Sequence, residues 1–134
     1  MTRSIAATIS NTPRAMTSHL IEVLGLDLAA KVLAAADPRT VTRWASGVHV
    51  LRREAILIRL GTSYQAIAEL EEVLSPRQIR GWFTVSNDAF DYRSALELLD
   101  GDDPQLARTR IVKAAAEFVA EYQNEQSNAD DGMS

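Results

Sequence analysis

The segment ADPRTVTRWASG, residues 36–47, carries two guanidinium groups, two threonine hydroxyls and a serine hydroxyl. These groups suit nucleic acid: an arginine fork matches guanine O6/N7 or a phosphate, and hydroxyls donate to phosphate oxygens. At helical spacing, Val41, Trp44 and Ala45 fall on one side. Arg39, Arg43 and Ser46 point the other way, with Thr40 and Thr42 flanking them. Arg52 and Arg53, just beyond, are placed to hold a phosphodiester backbone. The same spacing also suits an ordinary capped amphipathic helix with a solvated basic face. The segment alone leaves both readings open.

A second set of groups lies in the C-terminal half. Phe83, Phe90 and Tyr92 sit in or near a loop, where aromatic residues serve as anchors for a protein partner. Trp82 follows a long apolar stripe at a helix end and is read as core. Residues 123–134 have almost nothing to bury and read as a disordered acidic tail, or as one that orders on a cationic partner through Asp130, Asp131 and the Ser134 carboxylate. Bond-making chemistry finds no such support. His19 and His49 are the only histidines and stand at no metal or triad spacing. Asp102 and Asp103 open a helix, where the dipole explains them, and Glu69, Glu71 and Glu72 are the solvated side of another. Without a glycine-rich phosphate loop or any cysteine, the reading is a non-enzyme with no cofactor and no metal.

The charge is divided in the same way. Residues 1–60 hold eight Lys/Arg against four Asp/Glu, a balance of +4, and residues 61–134 hold six against fourteen, a balance of -8. The net -4 therefore does not exclude DNA binding by the first half, because the distant acids are screened at physiological salt. No apolar run approaches the roughly 18 residues of a membrane span, and no signal-peptide stretch opens the chain. A cytoplasmic protein is expected.

Helix signals dominate, and the predicted fold class is all-α. Pro13 to Leu24 reads as a first helix stopped by Gly25, with Asp27 capping a second, DLAAKVLAAA. Asp37 and Pro38 open a third that Gly47 closes. A long helix over 49–74 follows, with Ile56, Leu60, Tyr64, Ile67, Leu70 and Leu74 in one stripe and Gly61 a point of bending. Ser75–Gln78 and Ser94–Glu97 read as capping boxes, and Asp103–Pro104 as the start of a last helix with Ile111, Ala115, Phe118 and Tyr122 inward. This divides the chain into a flexible 1–14, a helix-turn-helix unit over 15–48, a helical domain over 49–122 and the 123–134 tail.

The order helix-turn-helix, long helix, SPRQIRGWFTVSNDAFDYRSALELLDGD and final helix resembles the Xre/MbcA/ParS antitoxin family over about residues 18–120. Trp82, Asn87 and the LELLDGD of 96–102 match the family's toxin-binding part, and PRTVTRW its DNA-binding unit. Lys31 and the Tyr92–Arg93–Ser94 stretch depart from the pattern. The resemblance implies an antitoxin that binds a RES-domain toxin through its C-terminal domain, Asn87 included, and blocks that toxin's NAD site. There Asp130, Asp131 and Ser134 would meet arginines that receive phosphates. It also implies repression of its own operon through operator DNA, by a homodimer or a larger toxin–antitoxin assembly. A stand-alone helix-turn-helix regulator, of phage or mobile-element type, is the alternative. A pure protein-interaction module is a further one.

Overall fold

The computed structural model describes residues 12–101 and 103–133, with side chains as far as residue 127. Among the described residues seven α-helices follow one another: α1 (Pro13–Leu24), α2 (Leu26–Val32), α3 (Pro38–Ser46), α4 (Glu54–Leu70), α5 (Pro76–Thr84), α6 (Ala95–Gly101) and α7 (Pro104–Met133). A single 3₁₀ turn (Asp88–Phe90) precedes α6. The fold is all-α; no strand occurs among the described residues, where an isolated bridge joins Asn87 and Arg93. None of the described helices is long and apolar enough to cross a membrane.

Most helix starts follow side chains that satisfy the unpaired first-turn N–H groups. Thr12 Oγ1 accepts from Ala15 N at 3.1 Å, and the Asp37 carboxylate from Arg39 N at 2.9 Å. Ser75 with Gln78 and Ser94 with Glu97 form the reciprocal bonds of capping boxes. Asp103 Oδ2 receives the N–H groups of Gln105 and Leu106 at 3.1 and 3.2 Å. Pro13, Pro38 and Pro76 stand where a missing N–H costs nothing.

Four local expectations change. α2 starts at Leu26 directly off Gly25, so Asp27 lies within its first turn instead of capping it. It also stops at Val32, because Ala34 takes a left-handed φ of 56° and Ala35 N reaches back to Ala30 O at 2.8 Å. The helix expected over 49–74 begins only at Glu54. Leu51 drops into the core from a non-helical segment, leaving Val48 and Val50 outward, and such β-branched residues resist helix. Finally, α7 runs to Met133 through the stretch whose composition predicts no structure. Once packed turns nucleate a helix, each further residue adds a hydrogen bond at little cost.

α4 is the central element. It packs along α7 and also against α1, and its buried residues include Arg59, Thr62, Ser63 and Ala66 besides the expected Ile56, Leu60, Ile67 and Leu70. Gly61 does not interrupt it. One hydrophobic cluster reaches from Leu20, Val32 and Val41 to Phe83, Leu98 and Ile111, so the first three helices share a core with the rest. At about 25 cal/mol per Å² of apolar surface removed from water, such a shared core strongly favours the two halves staying docked.

Candidate DNA-facing and partner-facing surfaces

α3 presents two unlike sides. Val41 is fully buried and Trp44 and Ala45 are half-buried, anchoring the helix on α1 and α2. Arg39, Thr42, Arg43 and Ser46 are exposed. Thr40 is half-buried and lines a crevice of about 380 Å³ with Trp44, Val50 and Arg52, so it stands apart from the outer strip. Arg52 and Arg53 are exposed on the segment leading into α4.

A further cation joins this face from α1. Arg14 Nε donates to Ala45 O at 3.3 Å and Ser18 Oγ to the same oxygen at 3.4 Å. Both satisfy the carbonyl end of α3, where the helix dipole is negative. Gly47 ends α3 at a φ of 83°, and a Cβ there would lie 3.1 Å from Arg14 Nη1. Nothing in the local sequence signals Arg14, since its acceptor is 31 residues away.

Arg39 is already engaged. Its Nη2 donates to Asp37 Oδ2 at 2.9 Å and its Nε to the same carboxylate at 3.1 and 3.3 Å. This side-chain bond, and then the one from Arg39 N, hold the Asp37 carboxyl below its ordinary value of 3.8, while the carboxylate raises the Arg39 guanidinium. Because the folded-state value is depressed, the stabilisation is complete above the unfolded value and is lost as pH falls through the folded one. Asp37→Asn keeps a capping oxygen but no charge. Its unfolding midpoint should therefore change less than the wild type's between about pH 5 and about pH 2. Parallel curves would show that the pair carries no such linkage.

The residues expected to face a partner separate sharply. Phe83 and Phe90, expected as surface anchors, are both fully buried and so cannot present themselves to a partner. Trp82, buried as expected, stands edge-to-face to both, with ring centroids 5.4 and 5.9 Å apart. The three rings form a small core beneath the loop because burying aromatic surface outweighs loop location. Tyr92 remains 78% exposed.

Asn87 is half-buried and builds the loop that carries Tyr92. Its Oδ1 accepts from Ala89 N at 2.9 Å, and its backbone oxygen accepts from Phe90 N and Tyr92 N, both at 3.0 Å. Its N–H donates to Arg93 O at 3.0 Å. These bonds hold Asp91 and Tyr92 in succession at φ of 56° and 65°. Left-handed backbone is unfavourable for a tyrosine by about 1–3 kcal/mol, and it persists only where the surroundings impose it. Arg110 Nη2 ties the loop to α7 through Asp91 Oδ2 at 3.3 Å and Ala89 O at 3.4 Å.

Two cavities meet beside this loop. One of about 680 Å³ is lined by Asp88, Tyr92, Glu117 and Glu121, and one of about 320 Å³ by Leu74, Gly81, Trp82 and Val85. They share Ser86, Asn87 and Phe118 and form one groove, acidic at one end and apolar at the other. Sequence spacing does not reveal it, because its walls come from α5, the loop and α7. The side chains of Asp130, Asp131 and Ser134 lie outside the described residues. Among the described residues no group of three His, Asp or Glu could hold a metal ion.

No protein-family model and none of the curated proteins matches the sequence. Among solved structures, the antitoxin of the M. tuberculosis MbcT–MbcA toxin–antitoxin complex is similar, at 27% identity and a TM-score of 0.57. The match covers 81% of this chain and 97% of that one. Fold and sequence pattern thus point the same way: the chain is similar to the MbcA antitoxin.

Proposed function

We propose that this antitoxin binds a RES-domain toxin through its C-terminal half, blocks that toxin's NAD site by occupying it, and represses its own operon through α3. The observation that carries the reading is the likeness, over 81% of the chain, to an antitoxin solved with its toxin. Two features of this chain support the division of labour. The first half sums to +4 and exposes Arg39 and Arg43 on one helix, whereas the second half sums to -8 and opens an acidic groove. Inhibition by occlusion asks only for surface complementarity. Asp130 and Asp131 would supply anions where the toxin receives phosphates, with Ser134 beside them.

Two recognition helices must reach successive major-groove faces, so repression requires a dimer or the assembled complex. Arg39→Ala and Arg43→Ala should each weaken operator binding by about 1–3 kcal/mol. Wild-type affinity should fall steeply with salt in the same gel-shift series. Full affinity in both variants removes α3 as the reading helix. Co-expression with the protein encoded beside this chain tests the rest: rescue of growth, lost on deleting the C-terminal half, is expected. A neighbour that is harmless alone would favour the stand-alone regulator.

A further inference from the structure

Gly81 occupies the interior of α5, where glycine is unfavourable relative to alanine, and it lines the apolar end of the groove. Glycine is kept in such a place for a left-handed backbone or for close approach of another group. Neither operates within the chain: Gly81 is helical, and a Cβ built on it meets nothing within 4 Å. The missing side chain leaves the groove open above the α5 backbone. Val85, 62% exposed, stands at its lip, and Leu74, Trp82 and Phe118 wall it. At the other end Tyr92 is held outward in its left-handed conformation.

We propose that this groove seats an apolar side chain of the toxin, on a backbone that passes over Gly81 and is flanked by lysine or arginine facing Asp88, Glu117 and Glu121. The proposal rests on the antitoxin reading above. The acidic rim selects the occupant, even with Glu117 sharing its charge with Lys113 at 4.0 Å. A second copy presenting the same face would set carboxylate against carboxylate.

The chain has no cysteine, so Gly81→Cys introduces a unique thiol into space that is open in the free protein. Reaction with N-ethylmaleimide should be rapid in the free variant and slow about tenfold or more once the toxin is added in excess. Gly81→Leu should fill the groove and raise the Kd for the toxin about a hundredfold. Gly81→Ala separates a blocked groove from a damaged fold, since its unfolding midpoint should rise while its affinity falls several-fold. A toxin that binds and leaves the thiol equally reactive overturns the groove while the antitoxin reading stands. Failure of the wild-type chain to bind the toxin overturns that reading and this one together. A thiol already protected in the free chain, increasingly so with protein concentration, assigns the groove to a second copy and overturns the proposal.

Discussion

Replacing Arg59 by methionine is expected to destabilise the fold by about 2–4 kcal/mol. The residue is only 8% exposed, and its side chain reaches from the middle of α4 to the ends of two other helices. Its Nε donates to Val32 O at 2.6 Å and its Nη2 to Lys31 O at 3.0 Å, at the carbonyl end of α2. Its Nη1 donates to Leu99 O at 2.6 Å, and Nη2 also to Asp100 Oδ1 at 2.8 Å, at the end of α6. The last carbonyls of a helix lack intrahelical donors, and one guanidinium supplies donors to both ends.

The ion pair contributes least, because Asp100 is 61% exposed and surface pairs are worth about 0–1 kcal/mol. The carbonyls decide the outcome: Val32 O and Leu99 O, each left buried without the guanidinium, cost about 1–3 kcal/mol apiece, partly offset by no longer burying the cation, whereas Lys31 O keeps the Ala34 N–H at 3.2 Å. Arg59→Lys should recover little, since an ammonium cannot present a planar fork to four acceptors at two helix ends. Urea unfolding reads the effect directly, and a loss under about 1 kcal/mol would show that water replaces the clamp. Arg59 also joins α2 to α6, so under the proposed function the variant should lose operator binding and toxin binding together, in proportion to the fraction unfolded.

Phe90→Ala is expected to cost a further-ranging 3–5 kcal/mol or so, the range for emptying a buried phenylalanine site. Phe90 is fully buried and packs edge-to-face on Trp82, so truncation opens a cavity under the loop that Asn87 organises. Trp82 Nε1 is buried with no hydrogen-bond partner among the described residues, a desolvation cost of about 1–3 kcal/mol that the packing of the three rings has to offset. Any loss of partner binding in Phe90→Ala should track unfolding and be largely restored by Phe90→Leu. Tyr92→Ala should behave in the opposite way: its stability stays within about 1 kcal/mol, while its affinity for the toxin falls. A fully folded Phe90→Ala that no longer bound the toxin would return Phe90 to the interface.

The contrast between Phe90 and Tyr92 shows where sequence reading stops. Both are aromatic residues of one loop, two positions apart, and nothing in their spacing separates them. Their fates are set by Trp82 and Phe83 below and by α7 alongside. Helix starts are different, because a cap joins residues two or three apart. Thr12, Asp37, Ser75, Ser94 and Asp103 all act within that range. Ala34 marks an intermediate case: the turn between α2 and α3 takes a left-handed residue that the sequence does not announce with glycine.

By itself, then, the sequence determined the helical class, most helix ends, the two-sided character of α3 and the opposite charge of the two halves. All of these depend on neighbours within a turn or on sums over composition. The tertiary structure alone decided what α4 buries, which aromatic rings face inward, where Arg14 joins α3 and where Gly81 leaves space. Arg59 makes the reason plain: its acceptors lie 27 to 41 residues away, and no local pattern encodes a bond closed only when three helices meet.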